Sequence, residues 1–490
     1  MDRKGTARGT GIRRVLAWIV GIALVASITW AGPAGATLMQ GSAKHDPADG
    51  PVKRPNIVLI LTDDQRWDTL KWMPNVQELL ADHGVTFTNA FVPNSLCCPS
   101  RTTILTGRYS HSTGVWSNEW PFGGWKVFHG RGEEGSTIAT WLHGAGYHTA
   151  LIGKYLNDFG DAAQAGYVPP GWDRFVSFGN NNGAHYNYDL TIDGNIRPYG
   201  GDLSDFSTDV FADKAVNWIH STQGPLFLYY APYAPHEPYK NLPPRDDCPP
   251  LGPYDPPSFG EADVSDKPPY IADLPWTRAD SSKQSWIRRG QCNLIKGVDR
   301  SVGQIVAALQ ATNRLSNTMI VFMSDNGYLW GEHRAYFKAK PYDEALRVPM
   351  VVRYDPMTKA PRTDSHLVLN VDIAQTFAAL AGIAAPGTEG RSLLPLVAGA
   401  NVPWRTDFLL EHSYGSEDKS YRAPDYCGLR SADWMYVTYM LGAQELYDLR
   451  SDPFELNNLA RDPGSQGQLD KMRADVFRRC NPLPPRFPKP

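Results

Sequence analysis

Four short polar groups stand just behind four apolar runs in this chain, and their residue types suit one charged crevice. Asp63-Asp64 follows the run at 56–61, Lys154 follows 148–152, His236 comes shortly after 226–230, and Asp325-Asn326 follows 318–323. Between them they offer carboxylates, an amide, an ammonium and an imidazole. A single acidic pair behind a strand is a turn or a helix cap. Four such groups at one end of a sheet place three carboxylates, an amide, an ammonium and an imidazole around one crevice. Carboxylate and amide oxygens are hard ligands, which favour Ca2+, with Mg2+ second, over Zn2+. Carboxylates crowded into one crevice also repel each other unless a cation stands between them.

A fifth segment sets the chemistry. It reads Cys97-Cys98-Pro99-Ser100-Arg101-Thr102-Thr103-Ile104-Leu105-Thr106-Gly107-Arg108. Every fixed position of the pattern C-x-P-S-R-x-x-x-L-T-G-R is matched, and here the chain resembles the type I sulfatases of the alkaline-phosphatase-like superfamily. Cys97-Cys98-Pro99-Ser100-Arg101 together with Gly153-Lys154-Tyr155-Leu156-Asn157 is most similar to the N-acetylglucosamine-6-sulfatase and heparan endosulfatase branch.

The resemblance implies that a formylglycine-generating enzyme oxidises Cys97 to formylglycine, whose hydrate is a geminal diol. It further implies a sulfated small molecule or glycan, a sugar sulfate or an aryl sulfate, as substrate. The physical logic stands by itself. A thiolate attacking sulfur gives a thiosulfate ester with no easy exit, whereas a sulfated diol expels sulfate by collapsing to the aldehyde. By the same resemblance, Asp63, Asp64, Asp325 and Asn326 ligate the Ca2+ together with the group derived from Cys97. Arg101 holds the diol, and Lys154 and Lys338 bind sulfate, with Lys340 close enough in sequence to compete for the second role. His236, in Ala234-Pro235-His236-Glu237-Pro238, protonates the leaving alkoxide.

One departure matters. Many relatives carry a second histidine two or three residues after the first lysine, where this chain has Leu156 and Asn157. Asparagine can hydrogen-bond substrate but cannot take its proton at neutral pH. The base for sulfate release is thereby open, with His111 and His333 as candidates by residue type alone. Cys98 is expected to be structural, and Glu332-His333 reads equally well as a turn. Trp116, Trp120, Phe122 and Trp125 follow the nucleophile segment closely, either to stack on a sugar or aryl ring or to pack beneath a loop. Two other functions share these residues: a phosphodiester or phosphonate monoester hydrolase of the same fold, and a non-catalytic secreted binding protein with Cys97 unmodified.

The elements that must position these groups are legible in the apolar pattern. The runs at 56–61, 148–152, 226–230, 318–323 and 348–352 suit strands buried on both faces. Helical periodicity between them, at 74–84 and 298–309, gives an α/β fold with a large, mostly parallel sheet sandwiched by helices. Its site lies beyond the carboxyl ends of the strands. Shorter alternating segments at 408–411, 435–439 and 445–449, then a helix over 466–479, predict a smaller C-terminal antiparallel-sheet subdomain. The expected organisation is a signal peptide at 1–36, a leader at 37–53, the catalytic domain at 54–400 and the subdomain at 401–490.

The signal peptide rests on Arg3, Lys4, Arg8, Arg13 and Arg14, an apolar run at 15–30, and Ala34-Gly35-Ala36. An uncleaved anchor is the alternative; either way the chain is exported to a periplasmic, secreted or surface location. In an oxidising compartment the cysteines outside the pair 97–98 form disulfides, with Cys248–Cys292 and Cys427–Cys480 expected from proximity in sequence. The 490 residues are 42% hydrophobic with a net charge of −3. Without a basic face to neutralise phosphates, nucleic acid is excluded as a partner.

Overall fold

Strand Asn56–Thr62 is buried along its whole length, and the site is assembled around its end. The computed structural model describes residues 54–179, 184–240, 242, 248–413 and 423–487. The expected signal peptide and leader lie outside them. Among the described residues the main sheet has ten strands. Its centre is parallel, in the spatial order Thr318–Ser324, Asn56–Thr62, Leu226–Ala231, His148–Gly153 and Arg174–Phe178. Met350–Arg353, Tyr188–Ile192 and the edge strand Asn195–Tyr199 run antiparallel to their neighbours.

Alternation along the central strand explains the layers. Ile57, Leu59 and Leu61 face one core, shared with Ile104 and Leu105, Ile138 and Leu142, and Ile373 and Phe377. These come from helices Cys97–Thr106, Ile138–Gly144 and Asp372–Ala381. Val58 and Ile60 face the other core, with Val210 and Phe211 of helix Ser207–Ser221 and Val298, Val302 and Ile305 of helix Arg278–Ala311. A strand with both faces covered must be apolar throughout, which is why these runs do not alternate with polar residues.

Three strands at or near the sheet's edges carry little sequence signal. Val85–Phe87 and Arg362–Asp364 are three residues each. Asn195–Tyr199 is largely solvent-exposed and so shows no apolar face.

The C-terminal sheet has the order Asp407–His412, Tyr426–Ser431, Trp434–Tyr439 and Gln444–Asp448, all antiparallel. One face packs on the main body, where Phe408, Leu410, Met435 and Val437 join Phe91, Leu346 and Leu369. The other face takes Leu469, Met472 and Val476 of helix Gln466–Arg479. Disulfides join Cys248 to Cys292 and Cys427 to Cys480, the two expected pairings, and leave Cys97 and Cys98 free.

Glu445 is the polar tie between sheet and body. Fully buried, it accepts hydrogen bonds from the hydroxyls of Tyr342 (2.8 Å), Tyr447 (2.8 Å) and Tyr439. A glutamine there turns an amide donor toward three hydroxyl donors. Glu445→Gln is therefore expected to cost about 1–3 kcal/mol, the range for leaving buried polar groups unmatched, read as a lower midpoint in thermal or denaturant unfolding. An unchanged midpoint would show that the cluster contributes nothing.

Candidate active site

The backbone at the ends of the parallel strands aims the acidic residues inward. Side chains of consecutive strand residues point to opposite faces, yet Asp63 and Asp64 serve one crevice. Asp64 breaks the alternation by taking a left-handed conformation, φ 68°, which Asp tolerates better than most residues. Its N–H donates to Asp325 Oδ1 at 3.2 Å, and the Asp325 N–H donates to the Thr62 carbonyl at 3.0 Å. The two acidic turns thus hold each other. On the neighbouring strand, Gly153 precedes Lys154 at φ 131°, where a Cβ would fall 1.9 Å from the Ala231 carbonyl oxygen. Glycine lets the chain close on that strand, and the Lys154 N–H bonds Ala231 at 2.7 Å.

Cys97 opens helix Cys97–Thr106. Pro99 is tolerated because the first turn needs no intrahelical N–H donors. Leu96 caps without a side-chain bond, and Asn118 serves instead, its Oδ1 accepting the Cys98 N–H at 2.9 Å. Gly107, left-handed at φ 68°, ends the helix. The four-residue spacing puts Arg101 on the same helix face as Cys97. Its guanidinium, 0% exposed, donates from Nε to Asp325 at 2.8 Å and from Nη1 to the Lys154 carbonyl at 2.8 Å, and lies 3.4 Å from Asp63.

The reacting corner is compact. Cys97 Sγ lies 3.4 Å from Asp63 Oδ1 and 2.8 Å from the Lys338 ammonium, which also pairs with Asp64. Lys154 pairs with Asp63. His236 Nε2 is 3.6 Å from Asp64 Oδ2, and its Nδ1 is 2.7 Å from the Glu237 carbonyl. Asn326 donates to Asp64 at 2.7 Å. Burial favours neutral Asp63, but Lys154, His236, Arg101 and Lys338 outweigh it and hold the carboxyl well below its usual range. Burial, then the neighbouring Asp63, raises the Asp325 carboxyl. Burial and Asp63 likewise push the Cys97 thiol up to about 12. An unmodified thiol here stays protonated at neutral pH and is a poor nucleophile.

These residues fit a hard divalent cation. Ligand atoms of Asp63, Asp64, Cys97 and His236 lie within 4.8 Å of one another. Asn326 Oδ1 is buried without a hydrogen-bond partner, as a ligand oxygen awaiting a cation would be, and the Lys338 ammonium stands among the carboxylates where positive charge is needed.

Asp63, Asp64, Cys97, Arg101, Lys154, His236, Asp325, Asn326 and Lys338 are therefore brought together. Lys340 turns away, its ammonium bonding the carbonyls of Tyr336 and Lys338 at 3.1 and 3.4 Å. It braces the loop that presents Lys338. Neither histidine offered as a release base belongs to the cluster. His111 Nδ1 lies 2.7 Å from Glu411, and buried His333 bonds Glu261 at 2.6 Å and stacks on Tyr342. Glu332 is structural, paired with Arg66. The Asn157 carbonyl accepts from Trp125, while its buried Oδ1 has no partner. Trp125 bonds Glu134 and stacks on His129, which is packing; Trp120 is 66% exposed.

Two neighbours of the site went unread in the sequence. Tyr233 stacks on His236 at 4.6 Å and lies beneath the Lys154 ammonium at 5.5 Å. Its position three residues before His236 was the available signal. His185, buried, contacts the His236 carbonyl through Nε2 at 2.9 Å; a lone histidine in a Gly/Asn-rich loop gave none.

If the carboxylates hold a cation, a divalent ion should raise the thermal midpoint of the purified protein, and Asp325→Ala should abolish that rise. Equal shifts in both proteins would place the ion elsewhere.

The sulfatase family pattern matches residues 55–383, and the pattern of the N-sulphoglucosamine sulphohydrolase C-terminal region matches 331–480. N-acetylglucosamine-6-sulfatase of Homo sapiens is 30% identical over 512 residues, covering 91% of each chain. Among solved structures, one in complex with its substrate D-glucosamine-2-N,6-O-disulfate aligns with TM-score 0.71 at 24% identity, over 87% of this chain and 98% of that one. The phosphonate monoester hydrolase of Agrobacterium radiobacter aligns with TM-score 0.66 at 22% identity, over 87% and 95%; both likenesses establish the fold. With the family pattern spanning the strands and turns that carry the cluster, this chain belongs to the sulfatase family and is a sulfate-ester hydrolase.

Proposed function

We propose that the chain removes sulfate from a sugar sulfate ester, with position 97 as nucleophile after conversion of Cys97 to formylglycine by a formylglycine-generating enzyme. The observation that carries this reading is the meeting of Cys97 Sγ with the Lys338 ammonium at 2.8 Å and the Asp63 carboxylate at 3.4 Å. The hydrated aldehyde supplies one hydroxyl for attack and a second to drive sulfate out. Asp63, Asp64, Asp325 and Asn326, with position 97, would hold a Ca2+ ion, which would supply Lewis acidity at the site.

The chain's own residues do the rest. Arg101, fixed by Asp325 and the Lys154 carbonyl, orients the oxygen at position 97. Lys154 and Lys338 bind sulfate oxygens and offset the charge that grows there in the transition state. His236 has a side chain 21% exposed. With Nδ1–H donating to the Glu237 carbonyl, Nε2 is the nitrogen left to pass a proton to the departing sugar oxygen. Asn157 contributes a hydrogen bond to substrate. The sugar preference rests on the N-acetylglucosamine-6-sulfatase relative and on the glucosamine disulfate held by the structural neighbour.

Residues 54–400 form the catalytic domain in this reading, and 401–490 a subdomain that buttresses it. Residues 1–36 direct export, and the disulfides suit the compartment beyond.

A peptide spanning Cys97 from the active exported protein should carry the mass of the aldehyde or its hydrate; an intact thiol in active protein would rule out the nucleophile. Cys97→Ser should reduce turnover to background, and Lys154→Ala should lower kcat/KM by about 10²-fold or more, as loss of a transition-state charge partner does. N-acetylglucosamine-6-sulfate should be hydrolysed faster than phosphodiesters or phosphonate monoesters. The reverse order would assign the site to phosphoryl chemistry.

A further inference from the structure

Beside Lys338 lies a cavity of about 360 Å³, enclosed between the segment 274–283 and the loop 334–340. Its volume falls in the range of small-ligand pockets. We propose that it binds a second, anionic sugar residue of the substrate, next to the one bearing the scissile sulfate. The proposal rests on the sugar-sulfate reading above.

The loop's backbone joins cavity and reacting corner. Phe337 and Ala339 flank Lys338, both left-handed at φ 72° and 63°. A bulky residue rarely adopts that conformation, and such strain gathers where a side chain must be aimed. Here Lys338 turns to Cys97, while Phe337 remains 38% exposed and lines the cavity. The sulfate-binding lysine thus directly follows a residue of the cavity wall.

The lining has the chemistry of sugar recognition. Tyr336 and Phe337 offer aromatic surface to the apolar face of a pyranose. The Lys283 ammonium lies 3.8 Å from the Tyr336 ring centroid and 5.8 Å from that of Phe337. Arg334 also lines the cavity. Its guanidinium donates to the carbonyls of Glu261 (2.8 Å) and Ala262 (2.7 Å), which orient it without cancelling its charge. The carboxylate on the wall, Asp280, is turned into the helix cap with Thr277 at 2.8 and 2.9 Å. Lys283 and Arg334 beside aromatic faces, with Lys340 also on the wall but bonded to main-chain carbonyls, suit a sugar carrying sulfate or carboxylate. A neutral sugar would leave both charges unused.

The test uses the full mature enzyme and three substrates with the same scissile 6-sulfate: the monosaccharide, an oligosaccharide with uncharged neighbours, and one with sulfated or carboxylated neighbours. Wild type should prefer the third in kcat/KM, and added salt should erode the preference. Lys283→Glu should lower kcat/KM on the third substrate about tenfold, or about 1.4 kcal/mol, and change the monosaccharide by less than about twofold. Lys283→Arg should retain the preference. Equal rates on all three for wild type, or a uniform loss in Lys283→Glu, would overturn the subsite while leaving the sulfatase reading intact. Failure of wild type to cleave any of them would overturn that reading and the subsite with it.

Discussion

The rest of this structure depends on burying three carboxylates together at the end of a sheet. Asp63, Asp64 and Asp325 are almost wholly removed from water, where isolated charges cost many kcal/mol and would protonate instead. Arg101, Lys154 and Lys338 reach them from three separate parts of the chain. Each cation bonds at least one carboxylate, and Arg101 also bonds the backbone that carries Lys154. The same charges that permit burial preorganise the site for an anion. A divalent cation held there would turn the balance of the cluster positive.

That requirement accounts for local features that look unrelated. The left-handed turn at Asp64, the glycine before Lys154 and the paired left-handed residues around Lys338 each bend the chain at the point where a charged group must turn inward. Helix Cys97–Thr106 meets the cluster with its N-terminal end, where the dipole favours negative charge. Cys97 and Arg101, one turn apart, share its inward face. The raised Cys97 thiol fits the same picture: a site built to stabilise oxygen anions beside buried carboxylates disfavours a thiolate.

The C-terminal sheet packs against the body and, among the described residues, places no side chain in the cluster. It lies between the body and a terminal helix, with the buried Glu445 and its tyrosines on the side of the loop that follows Lys338. Lys340, braced on main-chain carbonyls of that loop, likewise stands outside the cluster. The release step has a different status. Histidines 111 and 333 bond carboxylates elsewhere and stand outside the cluster.

Legible in the residues alone were the central strands, the twelve-residue segment at Cys97, and the carboxylates and Lys154 behind the strands; the two disulfides matched the pairing expected from proximity. These are legible for a physical reason. Strands buried on both faces must be uniformly apolar, and a twelve-residue segment keeps its spacing whatever surrounds it. Only the tertiary structure decided between Lys338 and Lys340, since the direction of a side chain in a loop depends on backbone angles that residue types do not dictate. It also removed His111 and His333 from the site and brought in His185 and Tyr233, because nearness across the fold leaves no trace in local sequence. The strands at 85–87, 362–364 and 195–199 stayed unread for a related reason: three residues, or one solvated face, carry too little apolar pattern to be seen before pairing partners are known.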